Sequence, residues 1–159
     1  MENTVDFSSP SLPLHVQRTV DKAFELLSHY LHQPGVAFTS TSAVRDWLCL
    51  RMAGCEREEF MVLYLNHQNQ LLAWETLFTG SISSTEVHPR EVVKRALYFN
   101  AAAVILAHNH PSGDIAPSQS DKVITQRLIQ ALGLVDVRVL DHFIVGGRHI
   151  ASFAENGLL

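Results

Sequence analysis

The stretch Leu106 to Asp121 reads L-A-H-N-H-P-S-G-D-I-A-P-S-Q-S-D, and no other part of the chain limits its fold so tightly. An apolar run, Ala101 to Ala107, leads into His108 and reads as a short buried strand. Pro111, Gly113 and Pro117 then force a loop. A helix is expected to start at Pro117-Ser118, with Ser118 as N-cap and Asp121 at the third helical position. It continues through Val123, Ile124, Leu128, Ile129 and Leu132. Strand residues i and i+2 point to one face, so His108 and His110 aim two imidazoles at a single point. Asp121 follows His110 with ten residues between and brings a carboxylate from the next element. Two His, one carboxylate and an open fourth position make the ligand pattern of a catalytic zinc site. Each part alone has a plainer role, as polar strand-edge residues or as a helix-capping carboxylate. All of them inside one 14-residue window favour the metal site.

The rest of the chain supplies a setting for that window. Its 159 residues amount to one domain, and 47% hydrophobic content is enough for a core. Charged residues make up only 18%, so disorder is excluded. A net charge of −4 argues against a broad basic surface for gripping nucleic acid. The one modest basic cluster, Arg90, Lys94 and Arg95, is expected on a solvated helix face, where Glu91 and Arg95 could pair. Cys49 and Cys55 lack CxxC spacing and read as reduced thiols, Cys49 buried and Cys55 in a loop. The opening M-E-N-T-V-D-F has no basic start and no apolar run, and the longest apolar run is too short to span a bilayer. The expectation is a cytoplasmic chain with no membrane contact.

Residues 1–13 are polar, with Pro10 and Pro13, and are expected to form a loose tail. Val16, Val20, Phe24, Leu27 and Leu31 recur at helical spacing from Leu14 to Leu31, and Gln33-Pro34-Gly35 end that helix. A second helix is expected from Ser42, as cap, to Ala53, with Val44, Trp47, Leu48 and Met52 facing inward. Phe60 to Leu65 and Leu71 to Phe78 read as a hairpin around Asn66-His67-Gln68-Asn69, and Gly80 to Ser84 as a loop or bent strand. Pro89 sits where a helix would start. After the Ser118 helix, Val135 to Leu140 and His142 to Val145 read as two strands, with His149 to Phe153 pairing back across Gly146-Gly147. This order predicts an α/β fold with a mixed sheet between helices.

The spacing His108-x-His110, seven residues, Ser118, two residues, Asp121 is the JAMM signature of the JAB/MPN metalloprotease superfamily. The longer strings H-N-H-P-S-G and P-S-x-x-D resemble the RadC branch of it. So do R-E-E-F at Arg57 to Phe60, V-H-P-R-E-V at Val87 to Val92, A-L-Y-F-N-A-A-A at Ala96 to Ala103, and D-H-F-I-V-G at Asp141 to Gly146. The resemblance covers roughly residues 40–157 and, with its short length, the chain is similar to compact prophage-type members.

The resemblance implies an MPN (JAB1/cytidine-deaminase-like) fold over residues 37–159, preceded by a tail and helix over 1–36. It implies one Zn2+ per chain on His108, His110 and Asp121, which would lower the pKa of bound water to roughly 7. It implies a glutamate base at the start of a core strand. Alignment to R-E-x-F selects Glu58; Glu59 is the one-residue-slip alternative and would face the other side of the strand. Ser118 would then cap its helix, donate a hydrogen bond to an oxyanion, or do both over a cycle. The implied activity is hydrolysis of a peptide or isopeptide bond in an unidentified peptide or protein substrate. The alternatives are a DNA-repair-associated protein and a metal-stabilised interaction module without catalysis. Full-length relatives look like they add an N-terminal helix-hairpin-helix segment; the first 40 residues here show no such basic-flanked G-x-G hairpin. Oligomeric state is left open.

The remaining polar residues carry weaker expectations. Asp141 is either the carboxylate that receives a ligand histidine's second ring N–H, or a turn residue ending a strand. His88 is expected to cap the Pro89 helix. Ser112 and Gly113 shape the loop, and Asp114 faces solvent. His15, His29, His32 and His67 are expected on surface helix faces or a turn, and His149 carries no signal.

Overall fold

In a computed structural model, residues 12–31, 33, 42–80 and 86–159 are described. The expectations for most of the tail, for His32, for Pro34-Gly35 and for residues 81–84 lie outside the described residues, as does the boundary at 36/37.

The elements follow the order α1 (Leu14–Leu31), α2 (Ser42–Met52), β1 (Glu59–Leu65), β2 (Leu71–Thr79), α3 (Pro89–Tyr98), β3 (Ala103–Asn109), α4 (Gln119–Gly133), β4 (Arg138–Gly146) and β5 (His149–Ser152). The strands form one sheet in the order β2-β1-β3-β4-β5. Only the β3–β4 pair is parallel, and α4 supplies the crossover that a parallel pair requires. The sheet is therefore mixed and lies between helices, as the residue pattern predicts.

Alternation along the strands sorts the core into two layers. Met61, Leu63 and Leu65 of β1 and Ile105 and Ala107 of β3 pack with Val44, Trp47, Leu48 and Met52 of α2. Those four α2 residues are the inward set expected from helical spacing. Phe24 of α1 stacks on Trp47 at 5.5 Å, and the Trp47 indole donates to Ser28 Oγ at 2.8 Å, so α1 covers α2 from outside. On the opposite face, Phe60, Val62 and Tyr64 of β1 and Val104 and Leu106 of β3 pack with Val92 and Ala96 of α3 and Leu128 and Leu132 of α4.

Several expectations need correction. Ser42 is the first helical residue of α2, one place inside the expected cap. The two strands expected on either side of Asp141 are one continuous strand, β4. Asp141 does not break it because its carboxylate finds all its partners within the fold, and the register skips Leu140 as a bulge at that point. His88 stands at the N-cap of α3 but makes no side-chain cap bond; its ring packs edge-on to Phe78 at 5.9 Å. Arg95 pairs with Glu75 of β2, Nε to Oε2 at 2.8 Å, and lies over Tyr98 and Phe99. Glu91 is left to Arg90. Cys49 is half-buried like Cys55, and both are free thiols. No helix among the described residues is long and apolar enough to cross a membrane.

Candidate metal centre

The site lies where β3 ends against α4. Strand parity decides which side chains reach it. His108 continues the series Val104, Leu106 that faces α3 and α4, and Glu58 continues the β1 series Phe60, Val62, Tyr64 on the same face. The antiparallel register pairs Phe60 with His108, so running two residues further brings Glu58 toward His110. Glu58 lines the cleft together with His108, His110, Ser118 and Asp121. Glu59 projects to the other side, where its Oε2 accepts from Arg51 at 3.3 Å and from Thr76 at 3.2 Å.

The loop from His110 to Ser118 is held by short bonds. His110 N–H donates to Val145 O at 2.8 Å, continuing the β3–β4 ladder one residue past the strand. Gly113, at φ +85°, takes the left-handed conformation that its turn needs. Asp114 is exposed, as expected, and its carboxylate accepts from Ala116 N–H at 2.9 Å. Its carbonyl lies 2.6 Å from His110 Nδ1. A carbonyl only accepts, so Nδ1 carries a proton and Nε2 is the ring nitrogen that faces the cleft.

At the far end of the loop, Ser118 and Asp121 form a reciprocal capping box. Asp121 N–H donates to Ser118 Oγ at 3.1 Å, and Ser118 N–H donates to Asp121 Oδ2 at 2.8 Å. The cap uses a lone pair of Ser118 and leaves its hydroxyl proton to be donated elsewhere. The other bond of the box, donated by Ser118 N–H, orients the Asp121 carboxylate toward the two histidines.

The three side chains meet in a small triangle. His108 Nε2 lies 3.0 Å from His110 Nε2 and 3.1 Å from Asp121 Oδ1, and His110 Nε2 lies 3.3 Å from Asp121 Oδ2. A ligand atom of Glu58 joins them, all four within 4.8 Å of one another. Two atoms each about 2.1 Å from one tetrahedral ion stand roughly 3.3–3.4 Å apart, close to the edges of this triangle. Two imidazole nitrogens aimed at each other across 3.0 Å need a cation between them, a proton or a metal. The group could hold a metal ion, and its donors suit zinc among other divalent ions.

The electrostatics agree. Burial pushes the Asp121 carboxyl up, but hydrogen bonds from His108 and His110 outweigh it and hold the group well below the usual carboxylate range. The same carboxylate raises the His110 imidazole against the opposing effect of burial, with further help from the Asp114 carbonyl.

Sequence spacing did not single out two residues that complete the site. Asn109, between the two histidines, reaches across to β1. Its Oδ1 accepts from Glu59 N–H at 2.7 Å and its Nδ2 donates to Arg57 O at 2.9 Å, which clamps the backbone on both sides of Glu58. His142, wholly buried in β4, places Nε2 2.7 Å from His108 Nδ1. Its other nitrogen lies 2.6 Å from Thr125 Oγ1. Burial, and then the nearby His108, push the His142 imidazole well below its usual range. Asp141, the residue expected to serve as a histidine partner or strand end, does neither. It accepts from Ser152 Oγ at 2.6 Å and from the backbone of His142 and Ala154 at 2.7 and 3.0 Å, tying β4 to the chain after β5.

A family model for the RadC-like JAB domain matches residues 38–158. The chain belongs to the RadC-like JAB domain family. Among its relatives, the UPF0758 protein YfjY of Escherichia coli K12 is 74% identical over 159 residues, covering 100% of this chain and 99% of that protein. The UPF0758 protein YeeS of the same organism is 69% identical over 140 residues, covering 88% of this chain and 95% of that protein. The UPF0758 protein PSHAa2643 of Pseudoalteromonas translucida is 57% identical over 138 residues, and the match spans 62% of that longer protein. The mixed sheet between helices is the MPN fold of this family. Family membership supports a metal-dependent hydrolase or a DNA-repair-associated role, and the relatives' names specify no reaction.

Proposed function

We propose that the chain is a zinc-dependent hydrolase that cleaves a peptide or isopeptide bond at the His108–His110–Asp121 centre. One observation carries this reading: Glu58, alone among the four clustered residues, comes from a different segment of the chain and lies within 4.8 Å of the other three. A carboxylate there can serve as a base beside a metal site, whereas a purely structural site needs none. A zinc ion in such a site supplies a water acidic enough to attack near neutral pH and a Lewis acid for the carbonyl.

The chain's own groups then have definite tasks. Glu58 takes the proton of the attacking water and returns it to the leaving amine. Ser118 keeps its hydroxyl proton while capping α4 and donates it toward the developing oxyanion. Asn109 fixes the backbone from Arg57 to Glu59, so that Glu58 does not swing into solvent. The cleft, about 630 Å³, is lined beyond the centre by Val123, Ile124, Arg127 and Glu86, room for an extended segment of a protein substrate.

The test combines metal content with cleavage. Elemental analysis is expected to give about one zinc per chain, lost in a His108→Ala/His110→Ala variant. Glu58→Gln is expected to keep the zinc and lose cleavage of a peptide and isopeptide library by at least about a hundredfold. Zinc bound with no cleavage by the wild-type chain would leave a metal-stabilised interaction module. No metal in either protein after zinc is supplied would sink the hydrolase reading altogether.

A further inference from the structure

His142 and Thr125 are buried polar groups with no task in the reaction proposed above. They sit in a single file of hydrogen bonds whose direction can be worked out from one end. The Thr125 hydroxyl lies 2.6 Å from the backbone carbonyl of Asp121. A carbonyl accepts and cannot donate, so the one proton of Thr125 goes to it. The same oxygen lies 2.6 Å from His142 Nδ1 and must accept there, which puts a proton on Nδ1. The ring of His142 is flanked by Phe60 and Phe153, and a ring so enclosed stays neutral with a single proton. Its Nε2 is therefore bare and accepts from His108 Nδ1 at 2.7 Å. His108 holds a proton on Nδ1, which leaves Nε2, the nitrogen that faces His110 and Asp121, to take a metal ion or, without one, a second proton.

We propose that Thr125 and His142 are positioning residues that lock His108 in its metal-competent tautomer, with the Asp121 main-chain carbonyl as the fixed end of the relay. Asp121 then acts twice, its carboxylate as a ligand and its carbonyl as the anchor that orients another ligand. His110 reaches the same tautomer by the shorter route through Asp114 O. Histidine ligands commonly give their second ring proton to a carboxylate or a carbonyl, and here a second imidazole passes it on. The relay rests on the metal centre proposed above.

The experiment measures the ring nitrogens directly, by 15N-resolved NMR of the full chain, without metal and with zinc, beside zinc affinity from chelator competition. In the wild-type chain, His108 and His142 are both expected to carry the proton on Nδ1 in the zinc-loaded form, and His142 to do so already without metal. Thr125→Val keeps the shape and removes the hydroxyl; zinc affinity is expected to fall about 10–100-fold and the His142 tautomer to become mixed. Thr125→Ser is expected to restore both. A proton on His142 Nε2 in the wild-type chain overturns the relay and needs no variant that folds. So does a Thr125→Val affinity within twofold of wild type, or a loss of stability with tautomers unchanged. Zinc binding without cleavage overturns the hydrolase reading and leaves the relay standing. No zinc binding by the wild-type chain overturns the centre and the relay together.

Discussion

Gly146 of β4 and Gly113 of the ligand loop touch backbone to backbone. A Cβ built on Gly146 would stand 2.5 Å from Gly113 O and 2.8 Å from both Gly113 C and the Ile115 Cγ2 methyl. A side chain therefore cannot exist at Gly146 without moving the loop that carries His110. Gly146→Ala is expected to cost about 1–3 kcal/mol from overpacking and to weaken zinc binding as well. Thermal unfolding with and without zinc checks this; equal losses in both conditions would show that the strain never reaches His110.

Asn109 separates the base from the ligands. Asn109→Ala leaves the Glu59 N–H and the Arg57 carbonyl without their partner, at a cost of about 1–3 kcal/mol. It is expected to retain zinc and lower kcat more than it raises KM, because Glu58 loses its fixed backbone while the metal ligands keep theirs. Zinc stoichiometry measured beside steady-state kinetics separates these effects.

Asp141 makes a different prediction because it is remote from the chemistry. Asp141→Ala strands the Ser152 hydroxyl and two backbone N–H groups in a buried region. It is expected to cost roughly 3 kcal/mol or more in urea unfolding, with the end of β5 losing hydrogen-exchange protection first.

Proton and metal compete for His110. Its pKa is raised above 6.5, first by the Asp121 hydrogen bond. Zinc must displace that proton, so apparent affinity is expected to fall about tenfold per pH unit below the raised value. Asp121, held low, stays ionised throughout and adds nothing to that slope. In the metal-free chain the signs differ. The His110 contribution to stability is complete below about 6.5 and lost as pH rises through its folded value. The Asp121 contribution is present above about 3.9 and lost as pH falls toward its folded value. Chelator competition from about pH 5 to 8 checks the metal slope, and denaturation of the metal-free chain from about pH 2 to 8 checks both signs.

Much of this architecture was legible in the residues. Apolar runs bounded by turn residues and period-3.6 spacing placed the described helices and strands, except that the one strand β4 was read as two, and the S-x-x-D box set the start of α4 where the fold has it. Glu58 was chosen over Glu59 through the R-E-x-F resemblance, and strand parity favours it only once Phe60 is known to pair with His108. What stayed hidden depended on pairing across long separations. Asp141 looked like a strand end because an isolated carboxylate disfavours a strand interior; its three donors come from residues that no local pattern links to it. His142 was passed over beside it. Counting inward positions along β4 could have found it, since His142 pairs with Leu106 on the face that His108 shares.

The central place of β3 carries a consequence for how the chain folds. β3 pairs with β1 about forty residues upstream and with β4 about thirty-five downstream, so neither partner is local. Such pairings close large loops before they return any contact energy, and they form late. His108 and His110 are thus brought to Glu58 only when the β1–β3 pairing forms, whereas Asp121 lies close to them in the chain. A metal ion that needs all of these groups finds no foothold in the earlier, looser chain. Such an ion is expected to leave the folding rate almost untouched and to lengthen the lifetime of the folded state by slowing its escape.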